Sequence, residues 1–209
     1  MERATDTPTF SAKREPPHAV LVGGSAGAIE VVSLLLGALA ADFATPIVVL
    51  IHLPRHRPSA LGGALRGRCR LAVREPVDKE PLAPATVYLA PPDYHLLIDP
   101  GPSFALSVDE PVNFSKPSID VLFQSAAHVL GARCVGVLLS GASPDGAQGL
   151  RAIWEAGGLV AIQDPDDAIH GTMPKAGRAL CPDAQVLSAK AICAWVQQLP
   201  TWQTSSGPR

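Results

Sequence analysis

The sequence predicts one α/β domain, built on a doubly wound, mostly parallel sheet with helices on both faces and an inserted β-hairpin. Short apolar runs alternate with segments of helical length, which is typical of parallel sheets. The chain has 209 residues and 47% hydrophobic content, enough for one substantial core. We expect residues 18–199 to form the domain, residues 1–17 a disordered polar lead, and residues 200–209 a flexible tail.

The elements follow in order along the chain. Apolar runs predict strands at His18–Gly23, Pro46–Leu53, Arg70–Arg74, Thr86–Ala90, Cys134–Ser140, Leu159–Gln163 and Ala184–Leu187. Helices are predicted at Ala28–Ala41, Pro58–Leu65, Pro117–Gly131, Gly146–Ala156, Pro174–Leu180 and Ser188–Leu199. Within Tyr94–Val108, HLLID, PGPS and FALSV read as strand, turn and strand, which predicts the antiparallel hairpin.

Charge, cysteine usage and hydropathy exclude several partners. A formal charge of −2 gives no broad attraction to nucleic acid or to an anionic membrane. The four cysteines are scattered and no secretory signal precedes them, so we expect reduced thiols and a cytoplasmic location. The longest apolar stretch, Val31–Ala41, is far shorter than a bilayer span, so no membrane insertion is expected.

The segment Leu21–Ala28, LVGGSAGA, is the most informative in the chain. It places Ser25 in a G-x-S-x-G pattern between a predicted strand and a predicted helix. Small neighbours allow a sharp turn that exposes the serine hydroxyl, as in a nucleophile elbow. A glycine-rich turn that binds phosphate fits the local pattern equally well, although a Walker lysine and a G-x-G-x-x-G register are missing.

Two further polar residues favour the nucleophile. His52 ends the strand in IVVLIHLP and Asp145 follows the run VGVLLSGASPDGA, so both should lie with Ser25 at the carboxyl edge of the sheet. An imidazole that activates serine, oriented by a carboxylate, completes a catalytic triad. Asp145 could instead cap the helix at Gly146. Pro54 separates His52 from His56 and breaks a helical metal pair, so neither metal nor cofactor is expected.

Other titratable residues receive ordinary interpretations. We expect Asp120 and the acids of 164–167 to be solvated or helix caps, and His128 to be structural, whereas His170 has no assigned role.

These motifs resemble the catalytic domain of the CheB family of receptor protein-glutamate methylesterases. The resemblance runs from about Ala19 to Leu199 and rests on VGGSAGA, IHLP and SGASPDGA, with APPDYH, KPSIDVLF and Met-Pro at 173–174 in the same order. It implies Ser25, His52 and Asp145 as the triad and hydrolysis of glutamyl methyl esters on receptor helices to glutamate and methanol. It also implies a possible second activity, the deamidation of glutamine.

The sequence departs from the family pattern at the site. Ala26 replaces a usual threonine, and Ala142-Ser143-Pro144 replaces Met-Gly-Asn, so the backbone N–H groups of Ala26 and Ala142 are the expected oxyanion hole. Lys116 replaces an arginine and Thr172 a glycine. Lys116, Arg55 and the loop around His170 are candidate substrate contacts.

Three functions remain open at this stage. The first is the receptor methylesterase, the second a catalytically weak signalling module that binds modified helices, and the third a small-molecule esterase. In the family an N-terminal receiver domain covers the active site until it is phosphorylated. We expect none in this chain, so the two alternatives are constitutive activity and control by a separate regulatory protein.

Overall fold

The protein is described from a computed structural model that covers residues 16–52 and 61–200. The predicted helix start at Pro58, the residues Arg55 and His56, and most of the predicted lead and tail lie outside the described residues. The strands are β1 Ala19–Gly24, β2 Ile47–Ile51, β3 Ala72–Arg74, β4 Thr86–Leu89, β5 His95–Asp99, β6 Ser103–Ser107, β7 Cys134–Leu138, β8 Leu159–Gln163 and β9 Gln185–Leu187. The helices are α1 Ala28–Ala38, α2 Leu61–Arg66, α3 Ile119–Leu130, α4 Ala147–Glu155, α5 Thr172–Leu180 and α6 Ala189–Gln197.

Seven strands form one parallel sheet in the order β3-β4-β2-β1-β7-β8-β9. The most central strands, β2, β1 and β7, are buried along their whole length, which explains why they read as continuous apolar runs. Because all strands are parallel, the turns that follow β1, β2 and β7 meet at one edge of the sheet.

Both faces of the sheet are covered, as a doubly wound fold requires. Successive residues of β1 point to opposite sides: Val20 and Val22 pack in a core with α1 and α6, whereas Leu21 packs in a second core with α3 and α4. β5 and β6 form a separate antiparallel hairpin whose buried side chains join the second core. The predicted fold class is therefore confirmed.

The predicted elements are present, and their ends differ by a few residues. β2 ends at Ile51 rather than at residue 53, and α1 ends at Ala38 because the chain is already extended at Leu39. A short 3-10 turn at Gly131–Arg133 joins α3 to β7 and was not predicted. Within the described ranges, no helix has both the length and the apolar character needed to cross a membrane.

Candidate active site

Ser25 lies in the turn between β1 and α1 and is half-buried. The glycines next to Ser25 are needed because a larger residue would clash: a Cβ atom on Gly24 would lie 2.5 Å from the Cβ of Ala28. Gly27 has φ 84°, in the left-handed region, and a Cβ there would lie 2.7 Å from both Ile169 Cβ and Ser140 Oγ. The Gly-x-Ser-x-Gly pattern thus lets a serine stand at the carboxyl edge of the central strand.

His52 follows β2 and is tied to the serine strand, because its backbone N–H donates to the Gly24 carbonyl over 3.0 Å. Its Nε2 atom lies 2.8 Å from Asp145 Oδ2. Only 14% of the His52 side chain is exposed, and Asp145 is fully buried. Because the Asp145 carboxylate can only accept, Nε2 is the donor of this bond, and in the neutral imidazole Nδ1 is then the nitrogen that can accept a proton. In the described chain the Ser25 hydroxyl has no hydrogen bond to His52.

The Asp145 carboxylate is saturated with donors. Oδ2 accepts from His52 and from the backbone N–H of Ile119 at 2.7 Å. Oδ1 accepts from Ser118 Oγ at 2.7 Å, the Asp120 backbone N–H at 3.2 Å and Asn113 Nδ2 at 3.3 Å. Burial by itself would raise the pKa of Asp145, but these hydrogen bonds and the His52 imidazole outweigh it and hold the pKa below its usual value. The structure therefore keeps this acid ionised.

The interpretation of Asp145 as a cap of α4 is wrong. Within the described part of the chain, Asp145 accepts no hydrogen bond from the amides of α4 and instead accepts from the first amides of α3. The amides at the start of α4 are bound by Asp120, whose Oδ1 accepts from Gly146 N at 2.9 Å and from Gly149 N at 2.7 Å. The N-terminus of α3 thus binds the carboxylate of Asp145, which precedes α4, and the N-terminus of α4 binds the carboxylate of Asp120, which belongs to α3. Both carboxylates therefore lie at helix N-termini, where the helix dipole favours negative charge.

Asp120 was expected to be either solvated or a helix cap. It is not solvated, because only 4% of the residue is exposed, but it does cap a helix, since it binds the first amides of α4. Burial and the negative charge of Asp145 raise the pKa of Asp120, against the opposing effect of the Gly149 and Gly146 amides. Asn113 Nδ2 donates to Asp120 Oδ2 at 2.8 Å as well as to Asp145, so it bridges two buried acids. Sequence reasoning did not find Asn113 or Ser118 as part of the site.

Two backbone N–H groups at this edge are candidate donors to a substrate oxygen. Within residues 16–52 and 61–200, neither the Ala26 N–H nor the Ala142 N–H has a hydrogen-bond acceptor, and both residues are exposed. The Ser25 N–H, by contrast, donates to the Ser140 carbonyl at 2.9 Å. Ala26 and Ala142 can therefore donate to an added oxygen atom, whereas Ser25 N–H is occupied.

Ser140 connects the serine turn to the loop after β8 by hydrogen bonds. Its hydroxyl donates to the Ala26 carbonyl at 2.7 Å and accepts from the His170 N–H at 2.9 Å. Its own N–H donates to the buried Gln163 side chain at 2.9 Å. These bonds join the serine turn, the end of β7 and the loop after β8 into one unit, and His170 takes part through its backbone.

The remaining predicted residues have local roles. Lys116 Nζ donates to the carbonyls of Val108 and Asp109, at 3.0 and 3.1 Å, so its charge closes a loop of the chain itself. His128 is exposed in the last turn of α3, away from the edge that carries Ser25. In the described parts of the chain, no group of three or more His, Cys, Asp or Glu side chains could hold a metal ion.

Comparison with known proteins agrees with this architecture. The crystal structure of the Thermotoga maritima CheB methylesterase catalytic domain superposes with a TM-score of 0.83 at 28% identity, covering 87% of this chain and 98% of that domain. The fold is thus that of a methylesterase catalytic domain. Residues 20–196 match the CheB methylesterase family, and the chain belongs to that family.

Curated relatives agree. A Leptospira interrogans protein is 40% identical over 175 residues, covering 84% of this chain and 91% of the relative. Protein-glutamate methylesterase/protein-glutamine glutaminase 2 of Anaeromyxobacter dehalogenans is 39% identical over 198 residues, covering 95% of this chain and 57% of that protein. The same-named Caulobacter vibrioides protein is 34% identical, and the chain spans 51% of its length.

Proposed function

We propose that this protein is a serine methylesterase that hydrolyses glutamyl methyl esters on receptor-type signalling proteins, with Ser25 as nucleophile, His52 as base and Asp145 as its orienting acid. The observation that carries the proposal is the 2.8 Å bond between His52 and the buried, ionised Asp145, at the sheet edge where Ser25 stands. A glycine-rich phosphate loop needs neither of these two residues, so the nucleophile interpretation of the Ser25 turn is favoured.

The geometry supports a two-step reaction. The Ser25 hydroxyl attacks the ester carbonyl carbon while His52 Nδ1 accepts its proton, giving a tetrahedral intermediate. The intermediate collapses to a Ser25 acyl ester, and the methoxide leaves as methanol with the proton from His52. Water then attacks this ester in the same way, releasing glutamate and restoring Ser25. A glutamine side chain would follow the same steps and release ammonia.

The oxyanion hole of this reaction is formed by the Ala26 and Ala142 N–H groups, which lack acceptors within the described chain. Loss of a threonine hydroxyl and a methionine side chain at these positions leaves both backbone donors in place. Removing one donor from such a site typically costs about 10²–10³ in kcat. The two alanine replacements are therefore compatible with an active esterase, and they give no reason to prefer the weak binding module.

The proposal extends to the cellular setting. The domain, residues 18–199, acts in the cytoplasm on methylated helices of receptors or other signalling proteins. A separate regulatory protein is the proposed means of control. The reaction needs no cofactor or metal, since the triad and backbone amides supply all the proton transfers and charge stabilisation.

The test is methanol release from a methylated receptor fragment, with p-nitrophenyl acetate as a small ester in parallel. Wild type and Ser33→Ala, a control serine on α1 that accepts a hydrogen bond from Arg68, should release methanol, whereas Ser25→Ala should not. Hydrolysis of the small ester without methanol release would favour the small-molecule esterase. Methanol release by Ser25→Ala would exclude Ser25 as the nucleophile.

A further inference from the structure

The chain between the hairpin and α3 contains a tight turn at residues 112–115. Val112 and Ser115 exchange both backbone hydrogen bonds, at 3.1 and 2.9 Å, so Asn113 and Phe114 are its two central residues. Their φ values are 50° and 61°. Turns with positive φ at both central positions favour Asn followed by Gly. Asn113 fits this rule, whereas Phe114 stands where glycine would be less strained.

The Phe114 side chain contributes almost no packing to the fold, because the residue is 98% exposed. Most exposed apolar side chains need no explanation, but this one combines full exposure with an unfavourable backbone conformation. Stability of the isolated protein favours glycine at this position on both counts. Within the described residues, no contact of the fold explains the phenylalanine.

The turn is fixed to the candidate active site. Asn113, adjacent to Phe114, donates through Nδ2 to both Asp145 and Asp120. The base of the same loop is closed by Lys116, which binds two of its carbonyls. Phe114 is therefore held in a defined position one residue from the group that binds the triad aspartate.

A second exposed apolar side chain lies beside the serine turn. Ile169 is 65% exposed, and its Cβ lies 2.7 Å from where a Cβ on Gly27 would be. Phe114 and Ile169 belong to different loops, one before α3 and one after β8. A ligand that contacts both loops while its ester lies at Ser25 must be larger than the ester itself, as a helix that carries the ester is.

We propose that Phe114, with Ile169, is a substrate-specificity contact that binds apolar side chains on the helix carrying the methyl ester. This inference rests on the proposed function and names the feature of the substrate that the site selects: an amphipathic helix with apolar residues within one or two turns of the modified glutamate. Such residues lie on the same helix face at spacings of three or four.

The test compares Phe114→Gly and Phe114→Ala with the control Leu34→Ala, which shortens an exposed apolar side chain on α1. The measured quantity is the ratio of kcat/KM on the methylated receptor fragment to kcat/KM on p-nitrophenyl acetate. Both Phe114 variants should lower this ratio about tenfold, as loss of an aromatic contact does at other interfaces. Leu34→Ala should leave it within twofold.

Stability gives an independent readout. Phe114→Gly relieves the left-handed strain, so its thermal midpoint should rise by about 2–4 °C while the ratio falls. A residue with only a structural role would not combine higher stability with weaker discrimination. A ratio within twofold of wild type in both Phe114 variants, or equal losses on the two substrates, would overturn the proposal.

Binding separates this proposal from the proposed function. The Kd of the methylated fragment is measured for Ser25→Ala and for Ser25→Ala with Phe114→Gly, and the second should be about tenfold weaker. If wild type releases no methanol but this difference is found, the methylesterase function fails and the Phe114 contact stands. If methanol is released and the two Kd values agree, the Phe114 contact fails alone.

Discussion

Replacing Asp145 by asparagine probes the most densely bonded group in the candidate site. The Asp145 carboxylate has two oxygen atoms that accept hydrogen bonds, whereas an asparagine has one. The amide nitrogen of the asparagine takes the place of either Oδ1 or Oδ2, and in both positions it faces hydrogen-bond donors. In the Oδ1 position it would meet three donors, the Ser118 hydroxyl, the Asp120 backbone N–H and the Asn113 amide. In the Oδ2 position it would meet only the Ile119 N–H and His52, so this orientation should be preferred.

That orientation changes the tautomer of His52. Facing an amide N–H, Nε2 must accept, so the ring proton moves to Nδ1, the nitrogen that should take the Ser25 proton. We expect kcat to fall by about 10⁴, as for a triad with the wrong tautomer. The stranded Ile119 N–H and the weaker bonds to a neutral group should lower the free energy of unfolding by about 2–3 kcal/mol. The thermal midpoint should then fall by about 4–12 °C.

The assay is methanol release for kcat, with thermal and chemical denaturation for stability. Asp99→Asn is the matched control, because this partly exposed hairpin acid pairs with Lys79 at the surface and should contribute little to stability. A folded Asp145→Asn enzyme with kcat within tenfold of wild type would refute the tautomer argument. An unchanged unfolding free energy would refute the described hydrogen bonding.

Three further predictions concern the surroundings of the triad. Gly27→Ala should reduce both kcat and stability, since φ is 84° and the new Cβ would lie 2.7 Å from Ile169 Cβ and from Ser140 Oγ. Methanol release measures kcat and thermal denaturation measures stability. Wild-type values in both assays would contradict the described packing. Ser140→Ala should strand the Ala26 carbonyl and the His170 N–H and lower stability by about 1–3 kcal/mol, measured by denaturant titration, with an additional loss of kcat as the serine turn loosens. The pKa of Asp145 is lower in the folded than in the unfolded state, so its stabilisation is present above the usual aspartate pKa of 3.8 and is lost as the pH falls through the folded-state pKa. The difference in unfolding free energy between wild type and Asp145→Asn should therefore be constant from pH 7 down to about pH 4 and should shrink as the pH falls further. A difference that stays constant down to the lowest pH at which both proteins are folded would contradict this.

The sequence is sufficient for the sheet and for the edge where Ser25, His52 and Asp145 lie. Buried parallel strands leave continuous apolar runs, and polar residues at their carboxyl ends must meet at one edge. The hairpin was predictable for a similar reason, since two short alternating runs flank a Pro-Gly-Pro-Ser turn. Strand and helix ends were less predictable, because they depend on tertiary hydrogen bonds such as that from His52 N–H to the Gly24 carbonyl.

The support around Asp145 could not be predicted from local pattern. Asp120 follows a serine at a helix start, where an acid is usually exposed. Its burial results from the meeting of the N-termini of α3 and α4, elements separated by a strand, and no spacing in the sequence encodes that crossing. Asn113 has one signal in retrospect: asparagine tolerates the left-handed turn conformation that it adopts.

Covalent labelling of the nucleophile tests the central claim most directly. A fluorophosphonate, which reacts with activated serines, is incubated with wild type, His52→Ala, Ser25→Ala and the control Ser33→Ala, and the adduct is located by peptide mass spectrometry. Activation of Ser25 by His52 predicts one adduct, on Ser25, in wild type and Ser33→Ala, strongly slowed labelling in His52→Ala, and none in Ser25→Ala. Labelling of another residue, or equal labelling rates in wild type and His52→Ala, would contradict the account.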